Sequence, residues 1–175
     1  MVGLKRFLIM AISILLCFFL QIVILPRVPR LIAVPNLMLI VTIAAGFLYG
    51  KGNGLATGLV SGLLLDVLGS GIPGFYTLIL SVLGFLNGML SEKIESEMIL
   101  ILFGLFAVNE LVFHLYVFGL AFLIRKSFVL GSYLKQVVLP EFVLSLVGFL
   151  IIYGILVFLS KRWDLRVNKG EVKIV

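Results

Sequence analysis

One carboxylate, Asp66, stands in the middle of a long apolar run, and no other feature restricts the fold as strongly. A charge inside hydrocarbon is expensive, so Asp66 must face protein or a water-filled cavity. Glycines flank it at intervals of four and three residues: Gly54, Gly58, Gly62 and Gly69. On an α-helix this spacing places all of them on one slowly winding face. We therefore expect Asp66 to lie at a crowded helix crossing, where small residues let a second backbone approach closely.

Composition assigns the chain to the integral membrane proteins. Of its 175 residues, 62% are hydrophobic and 13% are charged, and its mean hydropathy is +1.29. A soluble domain carries about a quarter charged residues. The net charge of +6 comes from basic residues scattered among the ends of the apolar segments. They are typical of topology signals and of contacts with anionic lipid, and they do not predict a nucleic-acid partner.

Six apolar segments predict an all-α, polytopic membrane protein with six transmembrane helices. The predicted spans are 7–25, 31–50, 54–68, 73–90, 98–124 and 137–159, in one domain over 1–163 that is followed by a basic polar tail over 164–175. The third span is short for a hydrocarbon core of about 30 Å, so we expect protein or a locally thinned membrane around it. The first span imitates a signal peptide, but its length predicts that it is not cleaved.

The distribution of basic residues predicts the orientation of the chain in the membrane. With six spans both termini lie on the same side, and that side carries nine of the Lys and Arg residues against five on the other. Basic residues near the ends of the spans favour the cytoplasmic side. Both termini are therefore predicted to be cytoplasmic.

The fourth span has a small-residue face of its own. Its members recur at intervals of four and three residues: Thr77, Ser81, Gly84, Gly88 and Ser91. The loop before this span is rich in glycine, including Gly74, and glycine permits the positive φ angles of a tight turn. The third and fourth spans are thus hairpin neighbours, and we expect their two small-residue faces to pack against each other.

Three further ionisable residues stand within the predicted spans. Glu110 and His114 are four residues apart on one face of the fifth span, and Glu141 lies in the first turn of the sixth. The rise of the helix places Asp66, His114 and Glu141 in the outer half of the membrane. We therefore predict that these three residues, together with Glu110, line an outward-facing polar pocket.

The same ionisable residues are candidates for metal binding, ion binding or catalysis. Glu110 and His114 have the spacing of two metal ligands, but their helix offers no obvious third ligand and the chain has no second histidine. We therefore predict a polar pair that faces the bundle rather than a metal site. Asp66 is open to three interpretations, namely an ion or proton site, a binding group or a helix-packing carboxylate, and a structural or partner-binding role is favoured. No nucleophile motif or phosphate loop occurs, so we predict neither enzymatic activity nor a cofactor.

Several of these residues together match the pattern of a known family. They are Leu20 and Gln21 late in the first span, Pro35 and Asn36 at the start of the second, Gly58, Gly62, Asp66 and Gly69 with the following Gly74, Glu110 in the fifth span and Pro140 early in the sixth. On these residues, and on size and hydropathy pattern up to the tail, the chain resembles the MreD family, the small polytopic subunits of the bacterial rod-shape (elongation) machinery.

The resemblance implies a six-helix bundle similar to the substrate-binding subunits of energy-coupling-factor vitamin transporters. It implies a multi-pass protein of the bacterial plasma (inner) membrane without enzymatic activity. The partner that it implies is MreC, a single-span protein with a periplasmic coiled coil. Through the larger complex the partners would be MreB filaments, RodA and a class B penicillin-binding protein, which make lateral peptidoglycan.

Two other functions can be considered for a chain of this kind. The alternative is a small-molecule-binding membrane subunit of a vitamin or metabolite transporter, which shares six spans, a similar length and an outer pocket. Such a subunit would show a closed cavity lined with aromatic and hydrogen-bonding groups. An ion or proton channel would need a continuous polar path, and the cytoplasmic halves of the spans carry too few polar residues for one.

Overall fold

Six α-helices form the part of the chain that a computed structural model describes, which comprises residues 2–29, 33–70, 73–91, 99–125 and 138–162. They are α1 (Val2–Phe19), α2 (Leu37–Tyr49), α3 (Lys51–Leu65), α4 (Phe75–Leu90), α5 (Ile99–Arg125) and α6 (Leu139–Arg162). π-Helical segments continue α1 over Leu20–Ile24 and α3 over Asp66–Ser70. The predicted all-α class is confirmed, and the predicted tail, 164–175, lies outside the described residues.

Three helical segments are long and apolar enough to cross a membrane, judged by length and composition: Lys5–Arg27, Leu100–Gly119 and Leu139–Ser160. The helices α2 and α4 are apolar but shorter. At a rise of 1.5 Å per residue, the 13 residues of α2 extend over about 20 Å, less than the hydrocarbon core of about 30 Å. The helix α2 is shorter than the predicted second span, 31–50. The presence of six transmembrane spans stays a prediction.

The centre of the molecule is α2, in which every residue from Leu37 to Tyr49 is buried. It contacts α1, α3, α4, α5 and α6. A helix that is apolar on all sides is expected in the interior of a bundle, because it has no polar face to turn outward. The glycine-bearing helix α3 lies beside this central helix.

The start of α2 is held by side chains from two other segments. Asn36 precedes the helix and its Oδ1 accepts a hydrogen bond from Leu39 N at 3.2 Å. Asn36 N donates to Ser145 Oγ on α6 at 2.8 Å, and Met38 N donates to Gln21 Oε1 at 3.0 Å. These bonds satisfy backbone donors that have no partner within the helix. Two residues of the family pattern, Gln21 and Asn36, thus fix the position of α2.

The helices α3 and α4 pack along their whole lengths with their backbones in direct contact. A Cβ atom built on Gly58 would overlap the backbone of Leu80 and Ser81, and one built on Gly62 would overlap Thr77. A Cβ on Gly54 would overlap the backbone of the third helix at this crossing, α2, as well as that of α4. We call the contact of these three glycines with α4 the glycine seam. The predicted packing of the two small-residue faces is confirmed.

Side chains rather than backbones join α5 and α6 to the rest of the bundle. Phe106 on α5 stacks on Phe149 of α6 with ring centroids 4.5 Å apart, and Phe149 stacks on Tyr153 at 5.2 Å. Tyr49 at the end of α2 shares a hydrogen bond of 2.7 Å with Ser160 Oγ on α6. The outward faces of the helices carry exposed apolar side chains, as expected of a surface in contact with lipid.

Candidate functional site

Asp66 follows the last residue of α3, and its carboxylate binds the beginning of α4. Oδ1 accepts a hydrogen bond from Tyr76 N at 2.7 Å. Oδ2 accepts from Gly74 N at 2.9 Å, from Thr77 N at 3.1 Å and from the Thr77 hydroxyl at 2.5 Å. The side chain is 3% exposed. A negative charge at a helix N-terminus is stabilised by free N–H groups and by the helix dipole.

The Asp66 carboxylate takes the place of a capping side chain, because the N-cap position of α4 makes no side-chain hydrogen bond of its own. The position before the helix is Gly74, whose φ of 88° and ψ of −10° are left-handed and which has no side chain to offer. Glycine adopts this conformation without the steric cost that other residues bear. Gly69 lies in the π-helical segment that begins with Asp66. The geometry therefore matches one of the three interpretations of Asp66, a carboxylate that packs two helices together.

The predicted polar pocket is partly wrong, because Asp66 is not in it. Glu110, His114 and Glu141 do meet, as predicted, with one ligand atom from each lying within 4.8 Å of the others. Asp66 instead uses both oxygens on α4. The prediction failed because helix rise gives the depth of a residue but not the neighbour toward which its side chain turns.

We call Glu110, His114 and Glu141 the triad, of which Glu110 and His114 are buried and Glu141 is partly buried. Glu110 and His114 stand one turn apart on α5, with His114 Nε2 3.5 Å from Glu110 Oε1, and Glu141 comes from the first turn of α6. Glu110 is fully buried and His114 is 5% exposed. Both Glu110 oxygens and His114 Nε2 make no hydrogen bond to any residue that the structure describes. Ionisable groups are costly in such a setting.

A cavity of about 170 Å³ opens beside the triad. It is lined by Gln21, Ile22, Asn36, Leu65, Tyr76, Phe113 and Glu141. Tyr76 of α4 stacks on Phe113 of α5, with centroids 6.0 Å apart and an angle of 16° between the rings. Of the triad, Glu141 lines the cavity, and both rings of the aromatic pair line it as well.

A pair of asparagines that the sequence patterns did not predict joins α4 and α5. Asn87 on α4 and Asn109 on α5 exchange amide hydrogen bonds, with Asn87 Nδ2 donating at 2.7 Å and Asn109 Nδ2 donating at 3.1 Å. Both side chains are buried. A polar amide inside an apolar run is a signal in itself, since such groups bond across helices in lipid. The partner of each was not predictable without the packing of α4 on α5.

The comparisons with known proteins give one match. A family model described as rod shape-determining protein MreD matches residues 1–163 of the 175-residue chain. No curated protein and no solved structure matches the chain. The match covers the six helices and these eight candidate site residues: Gly58, Gly62, Asp66, Gly69, Gly74, Glu110, His114 and Glu141.

Proposed function

The chain belongs to the MreD family, and from this membership we propose that it is a non-enzymatic membrane scaffold of the bacterial rod-shape machinery. The observation that carries the proposal is the family match over residues 1–163, since the description of that family names the determination of cell shape. A scaffold acts by holding partners in place. Its requirements are a stable framework and a surface that partners can contact in the membrane.

The framework is supplied by α2, α3 and α4. Backbones in van der Waals contact give an attraction that lipid tails cannot match, and this is how helices associate without a hydrophobic driving force. The carboxylate of Asp66 joins the end of α3 to the start of α4. We propose that this rigid unit is the part of the protein on which assembly depends.

We propose MreC as the direct partner, with MreB, RodA and a class B penicillin-binding protein reached through the larger complex. The glycine seam itself cannot receive the MreC helix, because α4 already occupies it. Exposed apolar side chains on α1, α5 and α6 leave lipid-facing surface for such a contact, including Leu15, Leu115 and Phe158. Lipid-facing helix surfaces of this kind are where another transmembrane helix packs.

The proposed setting is the inner membrane, crossed six times, with both termini in the cytoplasm. Three helices have the length and apolar character of spans. The shorter helices α2 and α4 contact the other helices closely, and short helices are accommodated where protein surrounds them. The excess of Lys and Arg on the side of the termini supports the orientation.

The transporter alternative finds less support. Binding sites for drug-sized molecules have volumes of about 300–1,000 Å³, whereas the cavity beside the triad has a volume of about 170 Å³. A vitamin-sized molecule would not fit within it. The similarity to the substrate-binding subunits of energy-coupling-factor transporters is therefore proposed for the fold and not for the activity.

Co-purification tests the proposal. The full chain with an affinity tag is co-expressed with MreC from the same genome, solubilised in mild detergent and captured, with an unrelated multi-pass membrane protein carrying the same tag as the control. We expect MreC to be retained by the chain and not by the control, and depletion of the chain to turn rod-shaped cells round. Equal recovery of MreC from both captures, together with unchanged cell shape, would contradict the proposal.

A further inference from the structure

We propose that Glu110, His114 and Glu141 form a binding site for a divalent first-row metal ion, with Zn²⁺ as the ion that fits the ligand set best. This site is separate from the scaffold function, and its failure would leave the capture of MreC unaffected. The sequence predicts no metal site because α5 offers only two ligands. The third ligand comes from α6, which the fold brings beside α5.

The ligand types suit this group of ions. One imidazole nitrogen with two carboxylate oxygens is a mixed donor set, and imidazole favours Zn²⁺, Cu²⁺, Fe²⁺ and Ni²⁺ over Mg²⁺ and Ca²⁺. Three protein ligands with one open position is the usual arrangement of a reactive or exchangeable Zn²⁺ site. The open position is supplied by the cavity that Glu141 lines, which is also a path of entry.

The distances between the ligand atoms of the triad also suit a Zn²⁺ ion. Zn²⁺ bonds to nitrogen and oxygen at about 2.0–2.2 Å, so two ligand atoms of a tetrahedral site lie about 3.4 Å apart. His114 Nε2 and Glu110 Oε1 are 3.5 Å apart. The ligand atoms of the full triad lie within 4.8 Å of one another. A rotation that moves the Glu141 carboxylate by little more than about 1 Å closes the tetrahedron.

Charge and hydrogen bonding give a second, independent reason. Among the described residues, Glu110 and Glu141 have no Lys or Arg partner, and three ligand atoms of the triad are buried without a hydrogen bond. Two carboxylates and a neutral imidazole around a divalent cation form a group with no net charge. A neutral group with every ligand atom bonded is far less costly to bury than two ionised carboxylates without a cation between them.

Metal binding by the purified chain tests the proposal. The protein is purified through a tag that does not bind metal, stripped with a chelator, dialysed against Zn²⁺ and analysed for bound metal. We expect about one Zn²⁺ per chain. Glu110→Gln, His114→Gln and Glu141→Gln should each weaken binding by more than the 10–100-fold that loss of an outer-shell partner causes. Glu171→Gln, the same change within the tail 164–175, is the matched control and should bind as the wild type does.

Spectroscopy gives a readout that a purely structural role would not produce. The chain contains a single histidine, so imidazole nitrogen couplings in the electron paramagnetic resonance spectrum of bound Cu²⁺ must come from His114. We expect these couplings in the wild type and in Glu171→Gln, and their loss in His114→Gln. Size-exclusion chromatography shows whether each variant folds as the wild type does. If a variant does not, the wild-type protein alone tests the proposal, because a specific Zn²⁺ site must raise its unfolding temperature as the Zn²⁺ concentration rises.

Two results would overturn the proposal. One is Zn²⁺ binding by the wild type that is no tighter than binding by Glu141→Gln. The other is an infrared band of a protonated carboxylic acid that disappears in Glu110→Gln, with no uptake of Zn²⁺. That second result would assign the triad to a proton shared between two carboxyl groups.

Discussion

The two halves of the bundle are held together in different ways. Between α3 and α4 the backbones touch, and glycine is required because a single added carbon would overlap the opposite main chain. Around α5 and α6 the contacts are made by stacked rings, paired amides and hydroxyl groups. Van der Waals contact between backbones stabilises the first half, and contacts between complementary side chains stabilise the second.

The difference indicates which part of such a protein tolerates larger side chains and which part can hold a ligand. A backbone contact leaves no space for a ligand and accepts no larger residue. Contacts made by side chains can leave space for a ligand. The triad is formed by α5 and α6, and the cavity beside it is lined by residues of both halves, including Leu65, Phe113 and Glu141. We expect substitutions in the seam to act on folding and substitutions around the triad to act on binding.

The largest effect is expected from a bulky residue in the seam. Gly58→Leu places a side chain against the main chain of Leu80 and Ser81, which cannot move without displacing α4. We expect it to lower the free energy of unfolding by about 3 kcal/mol or more. The matched control is Gly154→Leu, because Gly154 is exposed and has no atom within 4 Å of its added Cβ. Denaturant unfolding in detergent measures both, and equal effects would remove the distinction between the two halves.

A smaller loss is expected when the link between α3 and α4 is cut. Asp66→Leu removes the acceptor of four hydrogen bonds at the start of α4, and we expect it to destabilise the protein by about 2 kcal/mol. Asp66→Asn keeps the shape and part of the capping ability, so its effect should be smaller. We also expect Asp66→Leu to weaken capture of MreC. An Asp66→Leu protein that unfolds at the wild-type temperature and captures MreC at wild-type strength would contradict this role.

The asparagine pair tests the half that depends on side chains. In a double-mutant cycle of Asn87→Leu and Asn109→Leu, we expect a coupling of about 1 kcal/mol, as is usual for polar contacts between helices in lipid. The double variant should be less harmed than the sum of the singles, because neither amide is left unpaired. Strictly additive losses would mean that the two amides do not stabilise each other.

The smallest effect is expected where one hydrogen bond is lost and the packing is kept. The Tyr116 hydroxyl on α5 donates to Phe75 O at 3.0 Å. Tyr116→Phe keeps the ring, which lies 5.6 Å from that of Phe75, and we expect a loss of about 0.5–1 kcal/mol. Thermal unfolding of the two proteins side by side measures it. A loss as large as that of Gly58→Leu would show that the side-chain half is no more tolerant than the seam.

The sequence predicted best what depends on spacing within a helix. Gly54, Gly58 and Gly62 are four residues apart, and the short loop after α3 makes α4 the next helix along the chain, so the packing of these glycines on α4 was predictable. The all-α class and the positions of the helices followed from the apolar segments in the same way. The central place of α2 was not predicted, although a short helix that is apolar on all sides indicates burial.

Contacts between helices distant in the chain could not be predicted. Glu141 meets Glu110 and His114 because α6 packs beside α5, and nothing in the local spacing of Glu141 contains that information. The direction of Asp66 toward α4 was not predictable from spacing either. Asp66 begins a π-helical segment, Asp66–Ser70, in which the residue spacing of an α-helix does not apply. The periodicity of the sequence predicts which residues share one face of a helix. Which other helix packs against that face is known only from the fold.

One pair of substitutions tests most directly whether backbone contact holds the molecule together. Alanine is favoured over glycine inside a helix by about 1 kcal/mol, so a helical glycine with free space gains stability on this change. Gly104 on α5 is exposed with nothing within 4 Å of an added Cβ, whereas a Cβ on Gly62 would lie 2.6 Å from Thr77 N. We predict that Gly104→Ala raises or preserves the unfolding temperature and that Gly62→Ala lowers it. Two shifts in the same upward direction would show that α3 and α4 are not in backbone contact.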